Sequence, residues 1–123
     1  RMQDKTETEN SLAEKTCVPC KGGVPPLPVE EKERLMGELH SDWFFTHEKT
    51  RIERDVKLKN FAQAMELAKR LGDIAEEQKH HPELQVGFGH LTITVWTHKI
   101  GDLVESDFVY AAKADEAIYS YLS

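Results

Sequence analysis

The sequence predicts an α+β domain, an antiparallel sheet backed by helices. Three observations lead there. From Asn60 to Lys79, apolar residues recur at helical spacing: Phe61, Ala64, Met65, Ala68, Leu71 and Ala75. From His90 to His98 the period is two, with Leu91, Ile93 and Val95 on one face and His90, Thr92, Thr94, Trp96 and His98 on the other. The order along the chain is helix, two strands, long helix, one or two strands, helix, which suits this class.

Taken in order, residues 1–16 are polar and charged, with Met2, Leu12 and Ala13 as the apolar exceptions. Disorder or loose docking is expected there. Cys17 to Pro28 holds two glycines and four prolines, which resist regular structure. Residues 1–26 are therefore expected to be a flexible N-terminal arm, and 27–123 the folded domain. Glu30 to Leu39 reads as the first helix, with acids in its first turn and Leu35, Met36 and Leu39 as its stripe. Trp43 to Phe45 suggests a short strand, Glu48 to Thr50 a turn, and Arg51 to Leu58 the returning strand. Its Ile52, Val56 and Leu58 share parity, and Arg54 intrudes on that apolar side.

Asn60 can cap the long helix, with Gln63 completing a capping box. Pro82 disfavours helical angles at His81, so the adjacent pair His80 and His81 falls where the helix ends. Gly87 and Gly89 mark a turn or bulge. The last helix is expected over Asp102 to Leu122, with Phe108, Ala111, Ala112, Asp115, Ile118 and Leu122 near one stripe. Asp102 with Glu105 can cap an early start and Ser106 a later one.

The 123 residues are enough for one sizeable core and too few for two. A formal charge of −6 provides no basic field for nucleic acid or anionic membrane. No apolar run approaches the roughly 20 residues of a membrane span. Cys17 and Cys20 form a lone C-x-x-C, which can be half a zinc site, a redox pair or neither. A closed zinc site takes four ligands, and no second pair completes it.

Chemistry concentrates between Glu76 and Asp107, which holds four of the six histidines. Charged and imidazole groups between a helix and a strand offer packing little, and proton chemistry or metal binding is the usual reason for them. An imidazole exchanges protons near neutral pH, and such help is typically worth about 10²- to 10⁴-fold. Glu76 lies four residues before His80, a spacing at which its carboxylate would hold that ring if the helix continued. His80, His81, His98 and a carboxylate would also make a metal set in number. Adjacent side chains point apart, however, and H-E-x-x-H is absent. A packing account exists too, since a helix C-terminus favours histidine by about 0.3–1 kcal/mol. It covers one histidine at the helix end and leaves His98 unexplained. Asp107 follows His98 closely enough to orient it, and His40, His47 and His90 read as surface residues.

The stretch from Lys57 to Asp107 resembles the pterin-4a-carbinolamine dehydratases, known in animals also as a dimerisation cofactor of a homeodomain transcription factor. The resemblance extends over about residues 27–122. It rests on Lys59-Asn60-Phe61 with Ala64, on Glu76-x-x-x-His80-His81-Pro82-Glu83, on Thr92-x-x-x-x-Thr97-His98, and on Asp107 nine residues later. It implies a four-stranded antiparallel sheet with three helices packed on one face, assembled as a homodimer or homotetramer. It also implies dehydration of 4a-hydroxytetrahydropterin to quinonoid dihydropterin without metal or cofactor, the recycling step after aromatic amino acid hydroxylation. On this resemblance His80, His81 and His98 are the catalytic residues, and Glu76, Pro82, Glu83 and Asp107 bind or orient. The implied setting is cytoplasmic, or organellar, with a functional link to an aromatic amino acid hydroxylase and no direct contact with nucleic acid or membrane. Leu84 and Phe88 replace residues usual in the family, and Asp102-Leu103-Val104 replaces the usual turn before the aspartate. Asp102 is expected to take over the lost cap. The competing reading from another class is a protein-binding module on the same fold with an idle site.

Overall fold

The computed structural model describes residues 12–19 and 24–123. Three helices lie against a four-stranded sheet: α1 (Val29–Met36), β1 (Phe44–Thr46), β2 (Arg51–Lys57), α2 (Phe61–Gln78), β3 (Glu83–Gly87), β4 (His90–Val95) and α3 (Glu105–Leu122), preceded by a 3-10 turn at Leu12–Glu14. The strands run β1-β2-β4-β3, every pair antiparallel. This is the expected α+β class and sheet.

Strand β4 is central because its alternation is complete. Leu91, Ile93 and Val95 are fully buried beneath the helices. On the open face Thr92 donates to Asp55 at 2.7 Å and Thr94 to Glu53 at 3.1 Å, so cross-strand hydroxyl–carboxylate pairs occupy the polar side. Regular pairing stops at Val95, short of the expected His98. Trp96 keeps the outward parity of the threonines and is buried there under Arg51, whose guanidinium lies 3.8 Å from its ring.

Strand β3 is the element that the sequence left open as one or two strands. Only Leu84 and Val86 turn inward, and β4 pairs it from Glu83↔Thr94 to Gly87↔His90. A two-residue turn at Phe88 and Gly89 joins them, and Gly89 takes a left-handed φ of +80°. Helix α2 buries Ala64, Leu67, Leu71 and Ala75. Phe61 and Met65, expected in that stripe, are about half exposed at 49% and 50%, and Leu67 takes their place. Asn60 caps the helix as expected, accepting from the Gln63 amide at 2.9 Å, while Gln63 Oε1 accepts from Lys59 N at 3.0 Å.

Arg54, the intruder on the apolar side of β2, is buried in an ion pair with Asp115 of α3 at 2.5 Å. Asp115 also accepts from Trp43 Nε1 at 2.8 Å and from the His40 amide at 2.9 Å. The carboxylate is thus matched by one charge and two further donors, while Arg54 Nε is buried with no hydrogen-bond partner among the described residues. Helix α3 begins at Glu105 rather than Asp102. Asp102 does not cap it: Lys32 Nζ and the Leu103 amide both donate to its Oδ1 at 2.7 Å.

Residues 12–19 fall within the expected flexible arm, yet Leu12 (2% exposed) and Cys17 (6%) belong to the core cluster. Lys113 Nζ donates to the Ala13 carbonyl at 2.8 Å, and Lys15 pairs with Glu105 at 2.8 Å. Cys20 lies outside the described residues.

Candidate functional site

Helix α2 ends because Lys79 turns left-handed, at φ 55° and ψ 42°. The His80 amide bonds back to the Ala75 carbonyl at 3.1 Å, the long bond of a Schellman-type cap. This reversal decides which carboxylate meets which imidazole. His80 is no longer helical, so the four-residue spacing from Glu76 does not operate. Glu76 Oε2 instead meets His81 Nε2 at 2.6 Å, and His80 Nε2 meets Asp107 Oδ1 at 2.7 Å. The expected pairings, Glu76 with His80 and Asp107 with His98, are both exchanged for others.

The two pairs differ in setting. Asp107 is fully buried, and the His80 side chain is 10% exposed. Besides His80, Asp107 accepts from Thr97 Oγ1 and from the Val104 amide, each at 2.8 Å on Oδ2. A carboxylate only accepts, so the proton of that His80 bond sits on Nε2, leaving Nδ1 as the other nitrogen. The Val104 bond makes Asp107 the agent that closes the first turn of α3, replacing the cap that Val104 lacks. Glu76 and His81 are by contrast largely solvated, at 78% and 59% side-chain exposure, where an ion pair contributes little.

His98 sits in a tight loop closed by Thr97 N to Asp102 O at 3.0 Å and Gly101 N to Thr97 O at 2.9 Å, with Gly101 at φ +63°. Beneath that loop Lys32 Nζ bridges Asp102 Oδ1 and the Lys49 carbonyl, both at 2.7 Å. The ring of His98 rests on Trp96, centroids 4.2 Å apart. His80, His81 and His98 meet in one cleft of about 310 Å³, with Trp96, Thr97, Pro19, Lys79 and Lys99 in its lining. Small-molecule sites begin at roughly 300 Å³. A larger open depression of about 580 Å³ lies by Met65, Lys69 and Tyr121, with no imidazole or thiol in its lining.

Asp107 and Glu76 reach the cleft through the histidines they hold. Pro82 and Glu83 are not in its lining; Glu83 starts β3 and is exposed opposite Thr94. The sequence did not single out Trp96 or Pro19 for this place, and no local spacing marks either. Among the described residues, no group of three or more His, Cys, Asp or Glu is arranged to hold a metal ion.

Residues 25–117 match the family model for pterin 4 alpha carbinolamine dehydratase. The chain belongs to that family. A pterin-4-alpha-carbinolamine dehydratase, so named provisionally, of Rubrobacter xylanophilus is 52% identical over 106 residues, covering 86% of this chain and 97% of its own length. A second dehydratase of provisional name, from Cupriavidus pinatubonensis, is 46% identical over 115 residues, 94% of this chain and 93% of its own. Among solved structures, a transcriptional coactivator/pterin dehydratase from Brucella melitensis is similar with a TM-score of 0.70 at 25% identity, covering 76% of this chain and 98% of its own. In this pterin 4 alpha carbinolamine dehydratase family member, the quoted double-histidine motif, His98 and Asp107 all fall inside the matched span.

Proposed function

We propose that this chain dehydrates 4a-hydroxytetrahydropterin to quinonoid dihydropterin by acid–base catalysis on imidazoles, as a hydro-lyase. The observation that carries the reading is the convergence of His80, His81 and His98 on one cleft, the first two each against a carboxylate. In the reaction the C4a–O bond breaks and the oxygen leaves as water after taking a proton. The N5 electron pair forms the C4a=N5 bond, and the proton on N5 departs. One imidazole protonates the hydroxyl while another receives the N5 proton, and no redox partner is involved. Asp107 fixes the ring and tautomer of His80, as a carboxylate orients a catalytic imidazole. His98 lies against Trp96, the two rings tilted by 51°. The direct test follows the 4a-carbinolamine by absorbance after generating it in situ, against its slow spontaneous loss.

The associated setting is proposed with it: tetrahydropterin recycling beside an aromatic amino acid hydroxylase, in the cytoplasm. Among the described residues no helix is long and apolar enough to cross a membrane. A homodimer or homotetramer accords with the outer edge of β3, unpaired among the described residues, and with Phe88 beside it at 77% exposure. Light scattering that gives only the 14.1 kDa monomer at high micromolar concentration would remove that part.

A further inference from the structure

We propose that Pro19 is a specificity wall of this cleft, packing on the substituent that a pterin carries at C6; the inference rests on the dehydratase reading above. Every other residue of the lining lies at position 79 or later, and Pro19 alone comes from the N-terminal segment. The segment is fastened beside both catalytic elements. Cys17 N donates to Gln78 Oε1 at 2.9 Å, two residues before His80. Ser106, next to Asp107, accepts from Val18 N at 2.8 Å and donates to the Val18 carbonyl at 3.3 Å. With Cys17 buried and Val18 held from both sides, the backbone delivers Pro19 to a defined place, and its ring locks φ.

Pro19 is itself exposed, so packing in the core does not account for it. The chemistry of the substrate indicates what meets it. C4a and N5 must lie against the imidazoles, and C6 is bonded to N5. A C6 substituent therefore leaves the ring beside the reacting atoms and runs along whichever wall is free of proton transfer. Trp96 is covered by Arg51 at 3.8 Å and His98 at 4.2 Å, which leaves the pyrrolidine of Pro19 as the exposed apolar surface. Ser106 is then a positioning residue, acting through Val18.

The test uses the full chain and two carbinolamines, one with a methyl and one with a three-carbon dihydroxypropyl group at C6. Pro19→Gly should raise KM for the longer substrate about three- to tenfold more than KM for the methyl substrate, so that the ratio of the two kcat/KM values shifts towards the methyl substrate. Ser106→Ala should change the ratio of the two kcat/KM values in the same direction. In parallel, stable dihydropterins with the same two substituents are titrated by quenching of tryptophan fluorescence, which reads binding without turnover. Turnover with the same substrate ratio in wild type and Pro19→Gly overturns the wall and leaves the dehydratase reading standing. Binding that responds to Pro19→Gly in a chain without turnover does the reverse. Neither turnover nor binding overturns both.

Discussion

Replacing Asp107 separates the support of the fold from the support of the chemistry. Its buried carboxylate accepts three hydrogen bonds, from His80 Nε2 at 2.7 Å and from Thr97 Oγ1 and the Val104 amide at 2.8 Å. Asp107→Ala leaves these donors without their acceptor. The Val104 amide and the Thr97 hydroxyl are the costly ones, at about 1–3 kcal/mol for each buried group left unsatisfied. His80 lines the cleft, where water can replace the lost bond. A loss of about 2–6 kcal/mol follows, a fall in Tm on the order of 10–20 °C for a domain of this size. Asp107→Asn is different. Its amide oxygen can keep Thr97 and Val104, so the fall in stability should be nearer 1 kcal/mol. Its NH₂ group then faces His80 Nε2 and demands an acceptor there, which moves the ring proton to Nδ1. The ring keeps its place in the wrong tautomer. We expect kcat/KM for carbinolamine dehydration to drop about 10- to 100-fold in Asp107→Asn, while its melt stays close to wild type. Stopped-flow absorbance and a thermal melt on the same preparations decide the matter. Wild-type kcat/KM in the Asn variant, or equal destabilisation by Asn and Ala, would refute the reasoning.

Other outcomes follow from the same geometry. His80→Ala and His98→Ala should each cost at least about tenfold in kcat/KM, while His40→Ala and His47→Ala leave it unchanged, read in the same assay. Glu76→Ala should cost less than Asp107→Asn, because the Glu76–His81 pair is largely solvated; an equal loss would overturn that ranking. Dialysis against a strong chelator should leave the rate unchanged, and a loss restored by zinc alone would favour the metal reading. Burial pushes the Cys17 thiol from 9.0 up to about 11, Lys113 opposing and Asp107 adding to the rise. The unfolded chain gives up this proton first, so the contribution is complete below pH 9 and is lost up to about pH 11. Cys17→Ala should therefore show a shallower decline of Tm between pH 8.5 and 10 than wild type, and parallel slopes would contradict it. Tyr110, also raised by burial, adds its own decline above pH 10 in both proteins.

Strand β4 and the cap of α2 were legible because each rests on residues close in sequence: Leu91, Ile93 and Val95 in one case, Asn60 and Gln63 in the other. Strand β3 was harder to read because Leu84 and Val86 are its only inward apolar residues, and its definition comes from pairing with β4. The three histidines were visible from their type and spacing. Their carboxylate partners were not, because Lys79 turns left-handed and breaks the helical register on which the Glu76–His80 expectation depended. Asp107 meets His80 across 27 positions, a contact that no local spacing encodes. The same holds for Lys32 with Asp102, 70 positions apart, and for Val18 with Ser106, 88 apart. Arg54 looked like a fault in β2 because its partner, Asp115, lies 61 positions on, in α3, with α2, β3 and β4 between them.

The central claim is that three imidazoles on one cleft carry the dehydration. The most direct measurement compares wild type with the triple variant His80→Ala, His81→Ala, His98→Ala, both shown to be folded by circular dichroism and thermal melts, in the carbinolamine assay. Wild type should accelerate the loss of carbinolamine in proportion to protein concentration, and the triple variant should fall to the spontaneous rate. A folded triple variant that keeps wild-type activity would contradict the claim.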